Sequence, residues 1–178
     1  MRSLLLICLI LTTLGHAKTP APEGFSWLRI DDLKASFLLP DGWYYTLHQG
    51  KLRGSLVIAK EPPGIGQHGP RLTVALVNDL GKSNGRLLSE KIPDFVASLK
   101  AQSSYAVLSV KNTRRGLLQG VLIHYHDTSI TPPVSVQRLY LAHDGSDTLA
   151  IITYQNRADD QNAWRIGDIL LNHFQLEP

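Results

Sequence analysis

The chain has 178 residues, 43% of them hydrophobic and 19% charged, a composition and length that suit one globular domain with a sizeable core. Eighteen basic against fifteen acidic residues give a formal charge of +3, but the positive residues are scattered, so the clustered basic face that nucleic-acid binding requires is missing. The single cysteine, Cys8, lies in the N-terminal segment, which leaves the rest of the chain without a disulfide, a thiolate metal ligand or a cysteine nucleophile.

That N-terminal segment has the form of a secretory signal peptide over residues 1–17. Arg2 is its positive start, residues 4–14 are its apolar run, and Ala17 is the small residue at the expected cleavage point. The run is too short to span a bilayer comfortably, so no stable membrane insertion is expected after cleavage. Leu5-Leu6-Ile7 before Cys8 are too large for a lipoprotein site. Losing Arg2 takes the basic count from 18 to 17 against 15 acidic residues, a formal charge of +2. The expected location is periplasmic or secreted. Residues 18–24, with two prolines, read as a mobile leader, and residues 25–178 as one domain.

Along the domain, residues 25–30 form a first short strand and Asp31-Asp32 turns the chain. A second strand over 35–39 is stopped by Pro40-Asp41-Gly42, because proline cannot continue a central strand and Asp-Gly is turn chemistry. Strands over 43–47 and 55–60 follow, then a Pro- and Gly-rich loop over 61–70, expected to be the least ordered internal segment. Leu72, Val74 and Leu76 alternate along the next strand. Ile92, Phe95, Val96 and Leu99 recur at helical spacing over about 89–102, with Pro93 expected in the first turn. Two long strands, 105–113 and 117–127, are joined by Arg114-Arg115-Gly116, which reads as a solvated turn. A closing hairpin follows, its strands carrying Val134, Val136, Leu139 and Leu141 and then Leu149 to Tyr154, with a turn at Asp144-Gly145. Asp159 and Asp160 sit where a helix N-cap is wanted, ahead of Ala163, Ile166, Leu170 and Phe174 at helical spacing. Short turns between strands imply antiparallel pairing, and two amphipathic helices must each cover a sheet face. The fold class is α+β.

Phe37-Leu38-Leu39-Pro40-Asp41-Gly42-Trp43 resembles the opening motif of the PsbP-like fold. Lys60-Glu61, the Gly/Pro loop and Leu72-Thr73-Val74 are similar to its next segment, and residues 169–174 to its closing helix and final short strand. That family includes photosystem II extrinsic subunits, a nuclear import factor that binds the Ran GTPase, and bacterial envelope proteins. The resemblance implies an antiparallel sheet with helices on both sides and members that act mostly by binding other proteins. No Ran-binding or photosystem-binding residue of the family is matched here.

The candidate chemistry is sparse. His124 and His126 share one face of a strand, and two imidazoles at i, i+2 can hold one divalent ion. Asp127 is adjacent, and His143 or His68 could supply a third ligand. The competing reading is an ordinary polar strand face. No G-x-S-x-G turn is present for a serine nucleophile. Gly64, Gly66 and Gly69 match the spacing of a dinucleotide fingerprint, but Pro70 and a strand follow where a helix must open. Trp27, Trp43 and Trp164 are too dispersed for a carbohydrate platform. The sequence therefore points to a secreted or periplasmic, non-catalytic accessory protein that binds another envelope protein and needs no cofactor. The alternatives are a divalent-metal-binding protein using His124 and His126, and an enzyme with a site near the Pro/Gly loop.

Overall fold

The computed structural model describes residues 19–48, 53–64, 69–77, 88–142, 149–157 and 160–176. Among these residues ten strands and two α-helices follow in the order β1 (Phe25–Ile30), β2 (Ala35–Pro40), β3 (Tyr44–His48), β4 (Arg53–Ala59), β5 (Arg71–Val77), α1 (Leu88–Lys100), β6 (Tyr105–Arg115), β7 (Leu118–Asp127), β8 (Val134–Ala142), β9 (Leu149–Arg157), α2 (Gln161–Asn172) and β10 (Phe174–Leu176), with a single 3-10 turn at Asp31–Leu33 between β1 and β2. Residues of the 144–145 turn, Asp159, His143, His68 and the middle of the Pro/Gly loop lie outside the described residues.

The strands form two sheets, and every pairing is antiparallel. The larger has seven strands in the order β3-β4-β5-β9-β8-β7-β6, the smaller three in the order β1-β2-β10. Alternation sets which residues are buried: Leu72, Val74 and Leu76 of β5 turn inward and pair in register with Tyr154, Ile152 and Ala150 of β9. On that face α2 and the small sheet enclose the main core, with Phe37, Leu38, Leu56, Ile58, Leu139 and Leu170 almost fully buried. On the other face α1 covers β7 and β8, burying Ile92 and Leu99 against Ile123, Tyr125 and Tyr140. The expected helix on each face is thus present, and the second sheet is an addition. Its third strand comes from the far end of the chain, and no local periodicity announces a three-residue strand.

The turn chemistry at 40–43 is as expected. The Trp43 N–H donates to the Pro40 carbonyl at 3.1 Å, and Gly42 adopts a φ of +74°, which the third position of a type II turn needs. Pro40 closes β2 as its last residue, opposite Phe25. Pro93 departs from the expectation. It is the sixth residue of α1 rather than part of its first turn, so it cannot return an N–H to the Ser89 carbonyl. The interruption is tolerated because Pro93 faces solvent while Ile92 and Leu99 anchor the helix.

α2 begins where expected. Asp160 is its N-cap, the carboxylate oxygen accepting the Ala163 N–H at 3.0 Å. Its buried stripe is Ala163, Gly167, Leu170 and Leu171, with Ile166 half-buried at the margin. Phe174 is not part of that stripe. The helix ends at Asn172, and Phe174 starts β10, opposite Phe37 with ring centroids 6.3 Å apart.

Candidate functional site

Two clusters stand out, one anticipated and one not. The anticipated one lies on the main-core face of the large sheet beside the N-terminal end of α2. His124 is in register with Gln137 and Tyr154, and His126 with Ser135 and Asn156, so two adjacent polar rows cross β7, β8 and β9. The His124 and His126 rings lie 6.2 Å apart, edge to face. His124 Nε2 is 2.8 Å from the Ser135 hydroxyl, and Trp164 of α2 packs its edge against the His124 ring at 5.8 Å. Burial, then the neighbouring His126, then Lys111, hold His124 below the usual histidine range, so it is neutral at neutral pH. A neutral imidazole is the form that binds metal.

Asp127 does not join the two histidines. Strand alternation turns it to the other face, where its carboxylate accepts the Ser129 N–H at 3.0 Å. Among the described residues, no three histidine, cysteine or acidic side chains gather to hold a metal ion. Asn156 completes the row of His126 and Ser135. It is 1% exposed, its side-chain N–H donates to the Asp160 carbonyl at 2.9 Å, and its Oδ1 has no partner among the described residues.

The second cluster is an open groove of about 640 Å³ at the far end of α2, between the β6–β7 hairpin and β10. Arg115 is its centre. Its guanidinium stacks over the Phe174 ring at 5.0 Å and donates to Asn172 Oδ1 at 2.9 Å. Asn172 is itself fixed by donating to the Asp168 carbonyl at 2.8 Å. Burial lowers the Arg115 pKa from its ordinary value, but an arginine stays charged at neutral pH. Arg114 lines the same groove, its Nε donating to the Gly116 carbonyl at 3.2 Å. Among the described residues, no acidic side chain lines it. The lining also contains Phe174, Gln175 and Leu176, and β10 is the terminal strand of its sheet. The solvated-turn reading of Arg114-Arg115 therefore needs correction: both are strand residues, and Arg115 is half-buried against a chain segment 57 residues away. Sequence spacing carries no trace of a contact at that separation. The one signal the sequence offers is the pair of adjacent arginines itself.

An antiparallel sheet with a helix on each face, closed by a small sheet that pairs the two ends of the domain, is the PsbP/Mog1-like fold, and this chain has it. Two of the solved structures that share the fold illustrate it. The cyanobacterial PsbP protein CyanoP of Synechocystis sp. PCC 6803 superposes with a TM-score of 0.55 at 11% identity, covering 92% of this chain and 99% of its own. The Ran-binding protein Mog1p of Saccharomyces cerevisiae superposes with a TM-score of 0.51 at 10% identity, covering 85% of this chain and 95% of its own. No protein-family model matches the sequence, and no curated protein matches it.

Proposed function

We propose that this protein is an exported, non-catalytic accessory protein that binds another envelope protein, and that it docks through the Arg115 groove. The groove carries this reading: it is open, joins two arginines to an aromatic floor, and ends on an edge strand. Support also comes from the fold, since one protein that shares it is by its own name a binding protein for Ran. Co-purification from the envelope fraction tests the reading, comparing wild type with an Arg114→Glu/Arg115→Glu variant. A protein retained by the wild type and lost by the variant is the expected result. Equal retention moves the docking surface elsewhere, and no specific partner under any condition removes the binding role. Export rests on Arg2, the apolar run over 4–14 and Ala17. N-terminal sequencing of the exported protein should begin at Lys18, whereas an intact Met1 in the membrane fraction would reject it.

A second reading, binding of a divalent ion, is favoured by one observation: His124 and His126 share a face and His124 is held neutral. Zinc or nickel titration of the purified protein should give saturable binding that His124→Ala abolishes. Binding unchanged in that variant would end this reading.

A further inference from the structure

From the chemistry of the groove we infer the kind of partner it takes: an extended, acidic segment that adds as a strand to the free edge of β10 and sets a carboxylate on Arg115. The inference rests on the groove being the docking surface and goes further in naming what docks. Three observations carry it. First, among the described residues β10 pairs with β2 alone, and in an antiparallel pair every second residue directs its N–H and C=O away from its neighbour. Phe174, Gln175 and Leu176 of β10 all line the open groove, so the strand's outer edge borders it, the starting arrangement for strand addition.

Second, Arg115 is pre-organised. Phe174 supports one face of the guanidinium and Asn172 takes one of its five donors. The remaining donors can grip a carboxylate in the two-pronged geometry that a lysine cannot reproduce. Held in place before binding, the side chain loses little rotamer freedom when it is engaged. Third, the charge is one-sided. Arg114 and Arg115 meet no acidic lining residue among those described, and Lys111 extends the positive charge along the same face of β6 as Arg115. A second copy of this chain would bring two more arginines to the same place, so self-pairing through this edge is disfavoured. An acidic strand satisfies both the edge and the charge.

The test replaces Gln175, an exposed β10 residue, with the photo-crosslinker p-benzoylphenylalanine in the full-length protein, irradiates cells, and maps the cross-linked peptide by mass spectrometry. A control cross-linker goes at Tyr44, exposed on β3. The expected result is a cross-link at 175 to a segment with at least two acidic residues at alternate positions. Its yield should fall at least tenfold in Arg114→Glu, whose exposed side chain leaves the core untouched, and in Arg115→Glu. Arg115→Lys, which keeps the charge and loses the two-pronged grip, should fall between. A cross-linked segment without acidic residues, or one whose yield ignores both charge reversals, overturns the acidic-strand inference and leaves the docking role intact. A partner captured from Tyr44 but not from 175 overturns both.

Discussion

The ring of Tyr154 lies directly beneath Gly167. A methyl group on that glycine would sit 2.2 Å from Tyr154 Cε1, and the tyrosine hydroxyl donates to the Ala163 carbonyl one turn earlier in the same helix. β9 and α2 are thus joined by one side chain that needs a gap at position 167 to fit. The helix gives up propensity for this contact. Glycine inside a helix costs about 1 kcal/mol against alanine. Gly167→Ala should therefore destabilise the protein, the overpacking cost of about 1–3 kcal/mol outweighing the helix gain. In a Tyr154→Ala background the same change should become stabilising, by up to about 1 kcal/mol, because the obstacle is gone. Chemical denaturation of the four variants measures the coupling. A stabilised Gly167→Ala single variant would mean that the ring does not occupy the gap.

Leu170 is the companion case without a glycine. It is 1% exposed and packs into the main core one turn beyond Gly167. Leu170→Ala should cost about 2–5 kcal/mol, the range for a buried leucine whose site collapses only in part. A loss under about half a kcal/mol, as for surface substitutions, would mean that α2 is not seated on the sheet.

At the start of the same helix Asp160 has two jobs done by different atoms. Its carboxylate caps Ala163, and its main-chain carbonyl receives Asn156. Only the first depends on the side chain. Asp160→Ala should cost about 1 kcal/mol, whereas Asp160→Asn keeps an oxygen for the cap and should cost a few tenths. Equal losses in the two variants would assign the effect to charge at the helix terminus rather than to the cap.

What the sequence made legible is what local physics controls. Leu72, Val74 and Leu76 bury one side of a strand because side chains alternate. Asp160 caps because a short acceptor ahead of an apolar stripe satisfies a helix terminus. His124 and His126 share a face for the same reason as the leucines. The features that define the groove obey no such rule. β10 has three residues and pairs with a strand more than 130 positions earlier, so its existence depends on tertiary context. Phe174 keeps the spacing of the helix stripe by coincidence, and only the stop at Asn172 reassigns it to stack on Phe37. Arg115 resembles any turn arginine until Phe174 and Asn172 are brought against it.

The polar row on β7 predicts a pH dependence whose sign is fixed by the depression of His124. Burial comes first among its causes, followed by the positive charge that His126 and Lys111 bring close. Ser135 and Trp164 touch the ring and Ser109 and Gln137 flank it in register, and none of them offers a negative charge to offset protonation. In the unfolded chain the histidine takes up its proton near the ordinary value of 6.5, and in the folded protein only at lower pH. Between those two points the unfolded state binds more protons, so stability rises with pH there. The contribution is fully present above 6.5 and is lost as pH falls from that value through the folded-state value. Wild type should lose more stability between about pH 7.5 and pH 5 than His124→Gln, which cannot take up the proton. Denaturant midpoints of the two proteins at matched ionic strength measure the difference. The gap should widen at low salt, because His126 and Lys111 act through space and ions screen them. Parallel curves for the two proteins would mean that His124 exchanges its proton as freely in the folded chain as in the unfolded one.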